Sequence, residues 1–330
     1  MNMKNRDRSL KLEGLIAAQS RLSPGHPMLP VLAGKQSSVE AGIGGEERVA
    51  EVFRRSKFSF PHHIFHDLSP TSDEKFQMDN CVLTPWFGNV LEVKNIGGVL
   101  QFKDNPLQLI RTREDGHPDG FESPVVQLER NVSLLHDWLR RNNIQLPIYG
   151  AVVLAYPKQI VAVPPAHTRL LFPNLIPSYI RGIPQPAQKL DIDTFNWLST
   201  ELLNSHHPYI PKPISESYGI HIGDFRPGVR CAPCGRIGMV KELRTWRCPW
   251  CGAVDHLAHQ GTLLEWFLIC KQTITNRECR WFLGVDVQTA KRILTGMNWE
   301  SKGTFKDRVY IIDIRNNIYV KQEKDLVIRQ

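Results

Sequence analysis

Residues 76–95 read Phe76-Gln-Met-Asp-Asn-Cys-Val-Leu-Thr-Pro-Trp-Phe-Gly-Asn-Val-Leu-Glu-Val-Lys-Asn95 and predict two β-strands joined by a turn. Two β-forming runs lie on either side of a segment that holds Thr, Pro, Gly and Asn. Side chains alternate between the two faces of a strand, so Glu92 and Lys94 share one face. A hairpin folds Asp79 back beside Glu92. The stretch therefore predicts two carboxylates and an amine at one point on a sheet.

This combination of side chains indicates a metal site. Two close carboxylates repel each other, so they hold their charge best around a cation. Oxygen ligands suit Mg²⁺ or Mn²⁺, which polarise a phosphoryl oxygen and acidify a bound water. Lys94 is placed to orient that water and to offset charge in the transition state. We therefore predict Asp79 and Glu92 as metal ligands, with the Val93 carbonyl as a further ligand.

The order of the motifs resembles a known family. Asp79 followed by Glu92-Val93-Lys94 resembles the D-x(n)-E-x-K core of PD-(D/E)xK nucleases. Gly44-Gly45-Glu46-Glu47 lies upstream, and Gln127-Leu-Glu-Arg130 lies downstream. In this order the motifs resemble the nuclease-related domain, NERD, of bacterial proteins over about residues 40 to 155. The resemblance implies a restriction-endonuclease-like mixed sheet flanked by helices.

The resemblance also places Glu46 and Gln127 close to the metal site, as catalytic residues. Each has an ordinary explanation as well. Glu46 lies near the start of a helix predicted to open after the glycine pair, where an acid suits the helix dipole. Gln127 fits an exposed position on a helix that starts near Pro124. Both explanations stay open for these two residues.

Length and composition favour a multidomain protein with a polyanionic partner. A chain of 330 residues suggests two or three domains, and a hydrophobic content of 42% is sufficient for sizeable cores. The formal net charge of +8 and the pI of about 9.1 favour nucleic acid as the partner. The N-terminus leads into no long apolar run, and we expect no secretory signal, membrane span or membrane partner. We predict a cytoplasmic protein.

Composition shifts along the chain predict five segments. These are a leader helix in 1–40 that packs on the nuclease-like domain, the nuclease-like domain in 41–205, a Pro- and Gly-rich linker in 206–228, a zinc ribbon in 229–258 and a winged helix-turn-helix-like domain in 259–330. Within the second segment, Arg111 to Gly120 is predicted as a charged loop near the proposed site.

The zinc ribbon rests on two cysteine pairs. Cys231-Ala-Pro-Cys234 and Cys248-Pro-Trp-Cys251 have the spacing C-x2-C-x13-C-x2-C, and a glycine follows each pair. Four thiolates at this spacing close a tetrahedral Zn²⁺ site with a structural role. Redox thiols or two disulfides fit less well. We interpret His256 and His259 as helix or loop residues, and the other cysteines as small core residues: Cys81, Cys270 and Cys279.

The C-terminal segment predicts three short helices followed by a β-hairpin at Trp299 to Ile314. This order resembles a winged helix-turn-helix. Residues 271–330 carry twelve Lys or Arg against seven Asp or Glu. A basic helix could enter a DNA major groove, with contacts from its outward side chains, Gln288, Lys291 and Arg292. The alternative is a module for helical packing or protein interaction.

Three functions are compatible with these patterns. The favoured one is a metal-dependent endonuclease, with DNA as its expected substrate, because both acids and the lysine of the motif are present. The second is a nucleic-acid-binding or transcription-regulatory protein that uses the same modules without cleavage. The third is purely structural, with Asp79 and Lys94 forming a salt bridge at a sheet end. The sequence does not predict the oligomeric state.

Overall fold

The computed structural model describes residues 1–187, 189–304 and 307–312. These residues form a mixed α/β protein that divides into two compact units. The first unit comprises Met1–Arg8 and Glu40–Tyr209. The second comprises Ser9–Val39 with the described residues from Ile210 onward. Within the described part of the chain, none of the helices is long and apolar enough to cross a membrane.

The strands are numbered in chain order. Those of the first unit are β1 (Asn2–Lys4), β2 (His63–Leu68), β3 (Met78–Leu83), β4 (Gly88–Lys94), β5 (Val99–Asp104), β6 (Leu107–Thr112), β7 (Pro118–Glu122), β8 (Ile148–Leu154), β9 (Ile160–Val163) and β10 (Arg169–Leu171). Those of the second unit are β11 (Val229–Arg230), β12 (Ile237–Lys241), β13 (Trp246–Arg247), β14 (Val254–Asp255), β15 (Thr273–Thr275), β16 (Glu300–Lys302) and β17 (Val309–Ile311).

The helices are numbered in the same way. They are α1 (Leu10–Arg21), α2 (Leu29–Arg55), α3 (Pro124–Arg141), α4 (Ile176–Arg181), α5 (Ile192–Asn204), α6 (Ile214–Tyr218), α7 (Ala258–Ile269), α8 (Asn276–Leu283) and α9 (Val287–Gly296). Helix α2 begins in the second unit, and its residues from Glu40 onward belong to the first.

The central sheet of the first unit has six strands in the order β1-β2-β3-β4-β8-β10. Strands β2, β3 and β4 pair antiparallel, whereas β8 runs parallel to β4 and β10 parallel to β8. Asn80 of β3 pairs with Leu91 of β4. In the same antiparallel register, the next pair of residues is Asp79 and Glu92. The predicted hairpin is therefore present, and the sheet is mixed.

Helices cover both faces of this sheet. On one face, Val90 belongs to a buried cluster with Leu128 of α3 and Phe195 of α5. On the other face, Leu91 belongs to a buried cluster with Phe53 of α2. Burying side chains of this size stabilises the fold by about 1.5–3 kcal/mol each. The two cores explain why the central strands are apolar on both sides.

A second sheet of the first unit has the order β7-β6-β5-β9. Residues Arg111 to Gly120 form the end of β6, the start of β7 and the connection between them, so the charged loop predicted there is confined to residues 113–117. Asp119 accepts hydrogen bonds from Arg113 at 2.7 Å and from Arg111 at 3.0 Å. These bonds lower the pKa of Asp119 to about 2. Local composition does not reveal such cross-strand ion pairs, which hold the charged segment in a hairpin.

Helix α2 begins well before the glycine pair that the sequence predicts as its start. Glu46 therefore lies inside the helix, and the helix-dipole explanation for this acid is wrong. Gly45 serves close packing instead. A Cβ at Gly45 would lie 2.9 Å from the Asn95 Cβ and 3.1 Å from the Ala155 Cβ, at the ends of β4 and β8. The absence of a side chain at Gly45 lets helix α2 approach the ends of β4 and β8, close to Glu92 and Lys94.

We expect Gly45→Ala to destabilise the first unit by about 1–3 kcal/mol, because the added methyl group must push α2 away from two strand ends. Gly42→Ala on the same helix is the matched control. A Cβ there meets nothing within 4 Å, so alanine should stabilise the helix by about 0.5–1 kcal/mol. Chemical denaturation followed by circular dichroism measures both. Equal stability of the two variants would contradict the close-packing explanation.

The core of the second unit joins α1 to α7. Leu15 of α1 and Leu263 of α7 are fully buried in one cluster. The Nε of Arg21, also fully buried, donates to Glu265 Oε2 of α7 at 2.7 Å. The leader helix thus packs within the second unit, which corrects the expectation that it packs on the nuclease-like domain. Its apolar side chains and its buried arginine find their partners on α7.

Residues 206–228, predicted as a linker, contain α6 and a 3₁₀ turn at Ile222–Asp224. Ile214, Ile220 and Phe225 are buried in the core of the second unit. The Pro- and Gly-rich composition therefore belongs to a packed segment of tight turns.

Two antiparallel sheets complete the second unit. One has the order β11-β12-β13-β14, and the other has the order β15-β17-β16. In chain order, α8 and α9 lie between β15 and β16. The hairpin predicted at Trp299 to Ile314 is present as β16 and β17. Its residues 305–306 and 313–314 lie outside the described residues.

Candidate active site and zinc centre

The predicted carboxylates and amine lie together on β3 and β4, at the end of the predicted hairpin. Asp79 Oδ2 accepts a hydrogen bond from the Val93 backbone N–H at 2.8 Å. Glu92 Oε1 accepts one from the Lys94 ammonium at 2.6 Å. The Lys94 ammonium therefore pairs with Glu92. The purely structural hypothesis predicts a salt bridge between Lys94 and Asp79 instead.

A polar cavity of ≈ 340 Å³ opens at this point. Asp79 and Glu92 line it from the sheet, and Gln127 lines it from α3. Its other lining residues precede β3, end β7 or follow Gln127 on α3: Lys75, Phe76, Gln77, Glu122, Arg130 and Asn131. Glu92 is only 5% exposed, so its carboxylate lies at the base. The cavity is a charged recess, and Glu92 is the most buried of its ionisable lining residues.

Negative charge at the base of the cavity is incompletely balanced. Burial, and then the neighbouring Asp79 charge, raise the pKa of Glu92 to about 7, although Lys94 opposes the shift. Burial also raises the pKa of Asp79. A divalent cation would relieve both effects, because it favours the charged form of each acid. The two carboxylates and the Val93 carbonyl are hard oxygen donors, and this set fits Mg²⁺ or Mn²⁺.

The Glu92 pKa predicts how stability depends on pH in the metal-free protein. The folded-state pKa of about 7 exceeds the ordinary value of 4.5, so the folded state binds the proton more tightly. This stabilisation is fully present below the ordinary pKa and is lost as the pH rises through the folded-state pKa. At 1.36 kcal/mol per pKa unit, we expect the free energy of unfolding to fall by about 1–3 kcal/mol between pH 5 and pH 8.

Glu92→Gln tests this expectation, because it removes the titrating group. Without metal, the variant should show a flatter pH profile and should be about 1–3 kcal/mol more stable than the wild type at pH 8. Calorimetry at pH 5 and pH 8 measures the difference. Glu114→Gln, at an exposed position, is the control and should keep the wild-type slope. Identical slopes for the wild type and Glu92→Gln would contradict the raised pKa.

Asn131 is a site residue that the sequence analysis missed. It is buried, and its Nδ2 donates to the Gln77 carbonyl at 2.8 Å and lies 3.5 Å from Glu92 Oε2. It follows Gln127 by four positions on α3, which places both on one helix face. That spacing could have identified it. Gln127 itself donates to Glu122 Oε2 at 2.7 Å, at the rim of the cavity.

Glu46 is not among the residues that line the cavity, and it forms an ion pair with Arg6. Arg6 follows β1, and the Lys4 ammonium holds this segment to the His66 carbonyl at 3.2 Å. Burial raises the pKa of Asp79, while the charges of Lys94 and Arg6 oppose that effect. Arg6 thus contributes positive charge near the site. No local pattern could have identified it, because its partner lies far along the chain.

The four predicted zinc ligands come together in the second unit. Their Sγ atoms all lie within 4.8 Å of one another. The Sγ atoms of Cys231 and Cys251 are 3.6 Å apart, as are those of Cys234 and Cys248. Tetrahedral zinc with Zn–S bonds of about 2.3 Å separates its sulfur ligands by about 3.8 Å. The cluster therefore fits a structural zinc ion in a ribbon.

Two matching turns hold the cysteines in place. The Gly235 N–H donates to the Cys231 carbonyl at 2.8 Å, and the Gly252 N–H donates to the Cys248 carbonyl at 3.0 Å. The two glycines have φ of 71° and 72°, a conformation that favours glycine. This explains the glycine that follows each cysteine pair.

The neighbouring histidines make contacts outside the cysteine cluster. His259 Nδ1 accepts a hydrogen bond from the Trp246 indole N–H at 3.1 Å. His256 Nδ1 lies 2.9 Å from the Arg244 carbonyl. The other cysteines are buried in the protein, as predicted for small core residues: Cys81, Cys270 and Cys279.

Helix α9 presents polar side chains to solvent. Gln288, Lys291 and Arg292 are exposed, while Ala290 and Leu294 are buried. The arrangement is that of an amphipathic helix with a basic outer face. Contact of these three side chains with DNA stays a prediction.

Comparison with known proteins identifies part of the first unit. Residues 41–155 match the family model of the nuclease-related domain. The matched range contains the predicted site residues from Glu46 to Gln127 and does not reach the cysteine cluster. Searches of curated proteins and of solved structures found no match. The domain match indicates a nuclease-related function, with nucleic acid as the implied partner.

Proposed function

We propose that this chain is a metal-dependent endonuclease that hydrolyses phosphodiester bonds of DNA. One observation carries the proposal. Asp79 and Glu92 line a polar cavity, and Lys94 donates to Glu92, all within the range that matches the nuclease-related domain. The pairing of β4 with β3 and β8 supports a restriction-endonuclease-like sheet. The cytosol, where zinc-binding thiols stay reduced, is the compartment that we propose.

Asp79 and Glu92 would hold Mg²⁺ or Mn²⁺, with the Val93 carbonyl as a further ligand. When bound, the cation polarises a phosphoryl oxygen and lowers the pKa of a coordinated water. The Val93 N–H holds one oxygen of Asp79 in a fixed position. Asn131 lies against Glu92 Oε2 and limits the rotation of that carboxylate. Both contacts preorganise the acids, so little rearrangement is needed to bind the cation.

Lys94 has two roles in this proposal. Its ammonium donates to Glu92 Oε1 and favours the charged form of that carboxylate. The same group can orient the attacking water and offset charge that develops on the phosphate. Gln127, at the rim, would orient water or substrate. Glu46 would act through its ion pair with Arg6, which lies near Asp79.

The second unit would recruit the substrate. The order α7, β15, α8, α9, β16 and β17 supports a winged helix-turn-helix, with two strands after the last helix. Helix α9 would enter the major groove with Gln288, Lys291 and Arg292. The zinc ion would be structural, because four cysteines leave no open coordination position.

Cleavage assays test the proposal directly. Supercoiled plasmid, linear duplex, single-stranded DNA and RNA would each be incubated with the full chain and Mg²⁺, Mn²⁺ or no metal. We expect metal-dependent cutting of DNA that stops when the metal is chelated. Binding of DNA without cutting under any metal condition would overturn the nuclease proposal in favour of a nucleic-acid-binding regulator. Cutting of RNA alone would overturn the assignment of DNA as the substrate.

A further inference from the structure

The β11–β14 sheet buries one face and exposes the other. Met239 and Trp246 on the inner face belong to the core of the second unit. On the outer face, Val240 pairs with Arg247 across the strands, and Arg247 pairs with Val254. The two valines are 56% and 48% exposed. The solvated face of an antiparallel sheet normally carries polar residues, so exposed aliphatic side chains on both sides of an arginine indicate a binding surface.

Trp250 lies on the same outer face and is 49% exposed. The space for its ring is provided by Gly238, where a Cβ would lie only 3.0 Å from the indole Cη2. Gly238 follows an inward residue of β12, so its missing side chain would point outward. The Arg236 guanidinium carbon lies 5.8 Å from the ring centroid. The chain thus holds a large aromatic ring on an exposed surface next to positive charge.

The exposed charge around this face is positive. Three arginines of the ribbon are exposed, Arg236, Arg244 and Arg247, whereas Arg230 forms an ion pair with Glu265 of α7. Lys241 and Asp255 each pair across the strands with the inward Trp246. The exposed acid Glu242 accepts a hydrogen bond from Arg247 at 2.7 Å, so Arg236 and Arg244 supply the net positive charge. This balance favours a polyanion, and the exposed ring favours a polyanion that carries planar bases.

We propose that the outer face of this sheet, formed by Trp250, Val240, Arg247 and Val254, binds single-stranded DNA. A base stacks on the Trp250 ring, which requires that the base be free of its neighbours in a duplex. The arginines neutralise the adjacent phosphates. The valines offer no partner to a ribose 2′-hydroxyl, so RNA would leave that group without its hydrogen bonds to water. This surface favours DNA over RNA for that reason.

Binding without cleavage tests the inference. The Asp79→Asn variant, without divalent cations, would be titrated against a fluorescent twelve-nucleotide thymidine oligomer and followed by anisotropy. Adding Trp250→Ala should weaken binding by about 5–100-fold, since one stacked base is lost. Trp250→Phe should restore part of the affinity. Arg247→Gln should lower the slope of log K against log salt by about 0.7.

Trp197→Ala is the matched control, because Trp197 is 45% exposed on α5 of the other unit. It should bind within twofold of its parent. Zinc content would be measured for every variant, so that loss of the ribbon is separated from loss of stacking. Unchanged binding by a zinc-loaded Trp250→Ala protein would overturn the proposal. Equal affinity for a uridine oligomer, or an equal loss of duplex binding, would also overturn it.

The inference names a partner for the proposed nuclease but is measured by binding alone. If the wild type fails to cut DNA while Trp250 still controls single-strand binding, only the nuclease proposal fails. If cutting persists while Trp250→Ala binds normally, only this inference fails.

Discussion

Asp79→Asn is expected to reduce metal-dependent cleavage by about 10²–10⁴-fold while leaving the fold intact. The substitution removes one of the two negative charges that would hold the cation. The amide oxygen can still accept the Val93 N–H that binds the carboxylate at 2.8 Å, so the local strand geometry is kept. Initial rates on plasmid DNA at saturating Mg²⁺ would be measured together with the unfolding temperature.

Lys94→Met and Glu92→Gln should show losses of similar size. Because the three residues act as one unit, combining two substitutions should cost little more than either alone. Lys103→Ala and Asp104→Ala remove the same residue types from exposed positions on β5 and should leave the rate within twofold. A folded Asp79→Asn protein that cuts at the wild-type rate would place the active site elsewhere.

The second large effect is expected at the cysteine cluster. Cys231→Ser should release zinc and unfold the β11–β14 sheet, because Cys231 is fully buried and the cluster brings four sulfurs together. Structural zinc contributes an apparent free energy of about 10–16 kcal/mol in small zinc domains. A serine hydroxyl does not replace a thiolate ligand at neutral pH. Zinc per chain, measured by mass spectrometry, should fall from one toward zero.

Cys279→Ala provides the matched control for this experiment. Cys279 is equally buried but lies outside the cluster. It should retain zinc, with a modest loss of stability of about 1 kcal/mol for the smaller side chain. Limited proteolysis would show whether cleavage sites open in the second unit. A Cys231→Ser protein that keeps its zinc and its protease resistance would show that the cluster is not a zinc site.

Residues that lie close together in sequence were placed well by sequence reasoning. The Asp79 and Glu92 strands form one hairpin, so alternation and turn composition are enough to bring their side chains together. The mostly apolar run from Ile148 to Leu154 forms strand β8. In the zinc ribbon, the C-x2-C spacing and the glycine after each cysteine pair are both visible in the local sequence. In each case the deciding interactions are local.

Contacts between distant segments were not predictable in this way. Arg6 pairs with Glu46, and Arg21 pairs with Glu265, across intervals that no periodicity spans. Glycine composition was also ambiguous. The pair before Glu46 reads as a helix start, yet Gly45 lies inside a long helix, where it allows close packing. Glycine occurs both near helix starts and where two elements pack closely, and only the tertiary structure shows which of these explains a given glycine.

The pairing of α1 with α7 has a consequence for synthesis. Helix α1 ends at Arg21, whereas its partner α7 begins only at Ala258, so α1 leaves the ribosome well before α7 does. At about 5–20 residues per second, the apolar face around Leu15 stays without its partner for on the order of 10–50 s. During this interval the apolar face of α1 is exposed on the nascent chain while the intervening domain folds. Chaperone supply and growth temperature should therefore govern the yield of intact protein.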